Sequence, residues 1–208
     1  MFHCKFPTQY ELCMTFIRIQ EFYESPKFRN KSFTLEEYID WYCSQSENGA
    51  FTYMTDWEGF NVPSNVLHRA FREFQWTHGE LRPREEKLKE ALYRKAKIDV
   101  DSEDEEPYYI IGTTEDSDLE TVRHEIAHGF FYLDQGYRRD VTEAIKKCKL
   151  TGLKKKLLKM GYHKAVVTDE CHAYTLTGLE EGMRETKEIK SLRKKLKAIE
   201  KKHIGDKQ

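Results

Sequence analysis

The stretch LETVRHEIAHGFFYLDQG, Leu119 to Gly136, decides how this chain is read. Leu119, Val122, Ile126, Phe130 and Leu133 recur at helical spacing, and no proline interrupts them. Asp116, Ser117 and Asp118 precede the run and offer N-caps. On that helix His124 and His128 stand one turn apart and project from one face. They are expected beside the apolar stripe, at the edge of the core. Two half-buried histidines with satisfied hydrogen bonds would give the same spacing. Chance alone would place an HExxH in roughly three of a hundred chains of this composition, so its context has to carry weight.

The chemistry of the pattern is specific. Two imidazole nitrogens on one helix face can hold one metal ion, and Glu125 beside them can act as general base on a water that the ion activates. A catalytic zinc needs a third protein ligand and an open position. Downstream, His163, Asp169, Glu170 and His172 are candidates, and Glu170 is preferred. It lies in VVTDECHAYTL, where Val166-Val167 reads as a short strand turning into a helix capped near Thr168 or Asp169. Glu170 and Tyr174 would then share a face, while His172 would point elsewhere and remains the main competitor. Glu170 could also be an ordinary first-turn glutamate favoured by the helix dipole.

The surrounding chain fits a globular protein. It has 208 residues, a formal net charge of -1, 13% aromatic and 34% charged residues. That length can bury a real core, and the near-neutral charge gives no global pull toward nucleic acid. The lysines of 146–159 accompany a stripe of Leu150, Leu153, Leu157 and Leu158 and lack interleaved aromatics, so they read as a solvated face. Five cysteines without a CxxC pair suggest a reducing compartment. No secretory leader or membrane span is apparent, so the cytoplasm is expected.

Upstream, Thr34 and Glu37 form a capping box for a helix LEEYIDWYC. FTYMTDW alternates like a strand after Asn48-Gly49. Val66, Leu67, Ala70, Phe71 and Phe74 mark a helix after Pro63-Ser64, and Pro83 opens REEKLKEALYRKAKI. The acidic run DVDSEDEE, 99–106, is the best boundary, and the strand PYYIIGTT follows it. The expected division is a mainly helical N-terminal region 1–98, a catalytic region 99–180 and a Lys-rich helical tail 181–208. The fold class is α+β, mostly helical with a small sheet.

From these residues the chain resembles the zincin metallopeptidases, and among them the gluzincins: His124-Glu125-x-x-His128, then a glutamate from a second helix some forty residues later. The metzincin pattern needs a further histidine that GFFYLDQGYR lacks. HEIAHGFFYL and DECHAY also resemble uncharacterised bacterial and phage HExxH proteins. The likeness covers about 108–178. It implies a zincin-like fold with Zn2+ on His124, His128 and Glu170, Glu125 as base, and a peptide or protein substrate. It implies an edge strand before the HExxH helix, with Tyr109, Ile111 and Gly112 aligning that substrate. It also implies a donor for the oxyanion, for which Tyr162 is preferred over His163 and Tyr174. Where thermolysin-type gluzincins often carry an acid four residues after the third ligand, this chain has Tyr174. The expected function is a zinc metallopeptidase. A catalytically weak zincin-like binding or regulatory protein, and a metal-free helical interaction protein, are the alternatives. The oligomeric state is left open.

Overall fold

In the computed structural model, described over residues 1–102, 106–180 and 182–205, the chain forms two units, Met1–Ser117 and Asp118–Gln208. The division falls after the strand 109–114, not at the acidic run, of which residues 103–105 lie outside the described residues. The region expected as one catalytic piece is therefore divided between the units.

The first unit is organised by α1 (Gln9–Glu24), in which Leu12, Cys13, Phe16, Ile17 and Ile19 are fully buried. Arg18, Gln20 and Glu21 on its other sides are buried too. A helix enclosed on all sides belongs at the centre of a core. It lies on a three-stranded sheet of β1 (Phe2–Phe6), β2 (Phe60–Pro63) and β3 (Tyr109–Thr114), in the order β1-β3-β2. β1 runs parallel to β3, with Phe2 opposite Ile110 and Phe6 opposite Thr114; β2 runs antiparallel, with Phe60 opposite Gly112.

This order corrects one expectation. The strand before the HExxH helix is the central strand, not an edge. Its backbone groups are taken by ladders on both sides, so Tyr109, Ile111 and Gly112 offer no open edge to a peptide. Gly112 has a packing reason instead. A Cβ there would lie 2.6 Å from Phe16 Cε2 and 3.0 Å from Leu12 Cδ1, so its bareness lets α1 approach the sheet.

Around this centre the capping box forms as expected. α2 (Leu35–Gln45) is capped by Thr34, whose hydroxyl accepts from the Glu37 N–H at 3.1 Å while the Glu37 carboxylate accepts from the Thr34 N–H at 2.7 Å. FTYMTDW is not a strand. It holds the one-turn helix α3 (Tyr53–Asp56), because Tyr53 is fully buried among Tyr38, Tyr42, Phe51 and Phe60 and donates its hydroxyl to Glu21 at 3.0 Å. Aromatic burial at one turn outweighs the alternating pattern. In α4 (Ser64–His78) the five predicted apolar positions are buried. α5 (Pro83–Ala91) starts on Pro83 and runs into a π-helical stretch, Leu92–Ala96, that ends at Lys97 with φ +60°. From α5, Glu85 reaches the core and takes Arg18 in a two-pronged pair at 2.8 and 2.5 Å. The Arg18 guanidinium also lies over the Phe74 ring, 4.1 Å from its centroid.

In the second unit the described elements are helices: α6 (Leu119–Leu133), α7 (Gln135–Lys146), α8 (Thr151–Lys159), α9 (Val167–Thr177) and α10 (Lys187–Ile204). α6 packs on α9, and α10 packs on α7 and α9. The Lys-rich tail is thus an integral helix: Ile189, Leu192 and Leu196 are buried and the lysines line the wet side. The strand expected at Val166-Val167 is instead the start of α9, with Val166 as its N-cap. In α8, Leu153 and Leu157 are buried but Leu158 is 50% exposed, so the apolar stripe is narrower than the run suggests. No helix among the described residues is long and apolar enough to cross a membrane.

Candidate metal centre

α6 is capped by Asp118, whose carboxylate accepts from the Thr121 N–H at 2.7 Å. The face it buries is not the apolar stripe. Leu119 is 74% exposed, and Val122, Ile126, Phe130 and Leu133 are only half-buried. Glu125, Ala127, His128 and Gly129 are the buried residues. At about 100° per residue, His124 and His128 lie nearly opposite the stripe rather than beside it. Binary patterning assumes that apolar side chains mark the inner face, and here polar side chains occupy it against α9.

α9 supplies what they face. Glu170, Cys171, His172, Ala173, Tyr174 and Thr175 are buried along it. His124 Nε2 and His128 Nε2 are 3.2 Å apart. Glu170 Oε1 lies 3.7 Å from His128 Nε2, and Glu170 Oε2 lies 3.9 Å from His124 Nε2. One ligand atom from each of the three residues falls within 4.8 Å of the others, so His124, His128 and Glu170 could hold a metal ion. A tetrahedral ion with bonds of about 2.0–2.1 Å spaces its ligand atoms about 3.3 Å apart, close to these separations. His172, the rival third ligand, is not in this group.

The far nitrogens are oriented as well. Thr177 donates its hydroxyl to the Ala173 carbonyl at 2.9 Å, so its oxygen is left to accept from His124 Nδ1 at 3.3 Å. Asp169 Oδ2 lies 3.0 Å from His128 Nδ1 and draws the proton there. With one proton of each ring on Nδ1, both Nε2 atoms face the group with Glu170, and a bound cation would take the place of any second proton there. Asp169 is itself positioned by His172, whose Nδ1 is 3.5 Å from its other oxygen. His172 Nε2 meets the Tyr137 hydroxyl at 2.8 Å, and its ring stacks on Phe131.

Electrostatics follow this geometry. Burial, then the neighbouring His128, holds His124 well below the usual imidazole range. Burial also acts against a charged His128, but Asp169 and Glu170 beside it prevail and raise it well above that range. Burial opposes the Asp169 carboxylate, yet His128 and His172 keep its pKa below the ordinary value. His172 is lowered, chiefly by burial.

The remaining site residues divide. Glu125 is buried beside His124, at 5% exposure. Tyr174 stands against a candidate ligand: its ring is edge-on to His124 with centroids 4.5 Å apart, and its hydroxyl donates to Glu180 at 2.5 Å. Tyr162 joins through Tyr174, hydroxyl to hydroxyl at 3.2 Å. His163 accepts from the Ala165 N–H in its own turn. Tyr109, Ile111 and Gly112 belong to the first unit. The sequence reading missed Thr177 and the orienting role of Asp169, although Thr177 is two helical turns from Glu170 and so on its face. Compared with known proteins, the chain matches no protein-family model, no curated protein and no solved structure.

Proposed function

We propose that the second unit is a zinc-dependent hydrolase acting on peptide bonds, of the gluzincin-like kind that the sequence resembles. The observation that carries this reading is the pair of Nε2 atoms 3.2 Å apart with Glu170 facing both. Two neutral imidazoles and a carboxylate are a donor set that suits zinc and leaves a position for a reactant. A bound zinc ion would supply Lewis acidity and bring the pKa of water toward about 7. In this reading His124, His128 and Glu170 hold the ion. Glu125 takes the proton from the attacking water and returns it to the leaving amine. The nearest hydroxyls for the developing oxyanion are those of Tyr174 and Tyr162, which would have to give up their bonds to Glu180 and to each other to donate there. Asp169 and Thr177 keep the imidazoles in register.

Purified protein should carry close to one equivalent of zinc by elemental analysis, and Glu125→Gln should keep that zinc while losing hydrolysis of an unfolded protein substrate. Iron in place of zinc, or unchanged turnover in Glu125→Gln, would overturn the reading. A second reading has its own support: His128 and Glu170 are each 1% exposed, as suits a structural metal in a binding protein. Stoichiometric zinc with no cleavage across a broad peptide screen would favour it.

A further inference from the structure

The sheet of the first unit ends on β1, and that edge borders a groove. A cavity of about 420 Å³ runs between β1 and one face of α5 with its π-helical continuation. Phe2 and Phe6 on the strand side, and Leu88 and Leu92 on the helix side, give it apolar walls. Arg84, Lys87 and Lys95 stand along the helical wall, and Lys5 on the strand; Glu11 is the one acidic residue of the lining. Arg84 lies 3.6 Å from Glu11, whereas Lys5, Lys87 and Lys95 are exposed and make no ion pair with a described carboxylate.

The backbone of β1 adds direction. The Phe6 carbonyl accepts from the Glu115 N–H at 3.0 Å, which turns the Phe6 backbone toward β3. In a parallel ladder alternate residues face the same neighbour. Phe2, Cys4 and Phe6 therefore serve β3, and His3 and Lys5 turn their N–H and C=O groups outward along the groove. An edge with unused backbone groups is a template for another strand.

We propose that this groove binds an extended acidic peptide, which adds to β1 as a fourth strand. Backbone pairing at His3 and Lys5 supplies the register, alternate apolar side chains enter between the aromatic and leucine walls, acidic side chains on the other face meet Lys5, and acidic residues beyond the paired stretch meet Lys87 and Lys95. The five residues of β1 set the paired length. This site lies wholly in the first unit and does not depend on the metal reading.

The test is fluorescence anisotropy on the full chain with labelled peptides of about nine residues in which glutamate alternates with valine. The acidic peptide should bind. Replacing its glutamates by lysine should abolish binding, and N-methylation of alternate amides should weaken it about tenfold in one phase of alternation and little in the other, since only one set faces β1. Lys87→Glu with Lys95→Glu, both on the surface, should weaken binding about tenfold, and Lys5→Pro should act similarly by removing an outward donor. Absence of binding would overturn the proposal. So would equal binding of a single-stranded oligonucleotide, or indifference to N-methylation in both phases, since either would reduce the groove to a general polyanion patch.

Discussion

A histidine's meaning depends on the proton at its far nitrogen. His124 and His128 present Nε2 to each other while Thr177 and Asp169 stand at their Nδ1 atoms. Without metal, His128 holds a proton above the usual 6.5, raised by Asp169 and Glu170 against its burial. Metal must displace that proton, so zinc affinity should begin to fall at a pH above 6.5 as the solution is acidified. A chelator-competition titration across pH checks this. Asp169→Asn removes the charge that raises His128, so it should move the onset to lower pH while weakening zinc about 10–100-fold. Glu170→Ala should cost more than about a hundredfold in affinity, because two imidazoles leave the ion under-coordinated. His172→Ala, acting only through Asp169, should cost less than Glu170→Ala in the same titration. The reverse ranking would remove Glu170 from the ligand set.

At the scale of elements, local spacing was legible and burial was not. The capping box at Thr34, the caps before α6 and the buried positions of α4 could be read because each depends on neighbours within one or two turns. The His124–His128 pair was legible for the same reason, whereas Glu170, on another helix, was only the preferred one of four candidates. The inward face of α6 was misread because Glu125 and His128 are buried there, which reverses the rule that apolar side chains point in. α1 went unread because a helix buried on every side has no amphipathic period. β3 was expected as an edge on the resemblance alone, and its central place depends on β1, more than a hundred residues earlier, which no local pattern reports. Gly112 shows the consequence. Gly112→Ala should place a methyl against Phe16 and Leu12 and destabilise the first unit by about 1–3 kcal/mol, as overpacking does. Urea unfolding followed by tryptophan fluorescence measures it, since Trp41, Trp57 and Trp76 all lie in that unit. An unchanged midpoint would mean that α1 has room to shift.

For the molecule as a whole, the two units should answer to different variables. Glu21 is raised from 4.5 to about 7, chiefly by burial, with the Tyr38, Tyr53 and Ser25 hydroxyls offsetting part of it. A raised carboxyl favours folding while protonated. Its contribution is complete below pH 4.5 and is lost as pH rises through about 7, a change on the order of 3 kcal/mol. Tryptophan-monitored stability should therefore decline over that window, and Glu21→Gln should flatten the decline. The second unit should answer to metal instead. Chelation should raise amide exchange in α6 and α9, because burial leaves their facing groups without a cation to join them, and leave α1 protected. Equal deprotection of all three helices would refute that separation.

The pairing of Phe2–Phe6 with Ile110–Thr114 has a consequence for synthesis. Translation delivers β1 about a hundred residues before β3, its neighbour among the described strands and the last described element of that unit. For most of the time the unit is being made, the opening strand and the apolar surface of α1 have no sheet to close on. Loop-closure entropy then sets the pace, and the nascent segment is a natural client for a chaperone. A ribosome stalled with Thr114 still inside the exit tunnel should hold a protease-sensitive N-terminal unit. One stalled some forty residues later should hold a resistant one, before Glu170 has emerged.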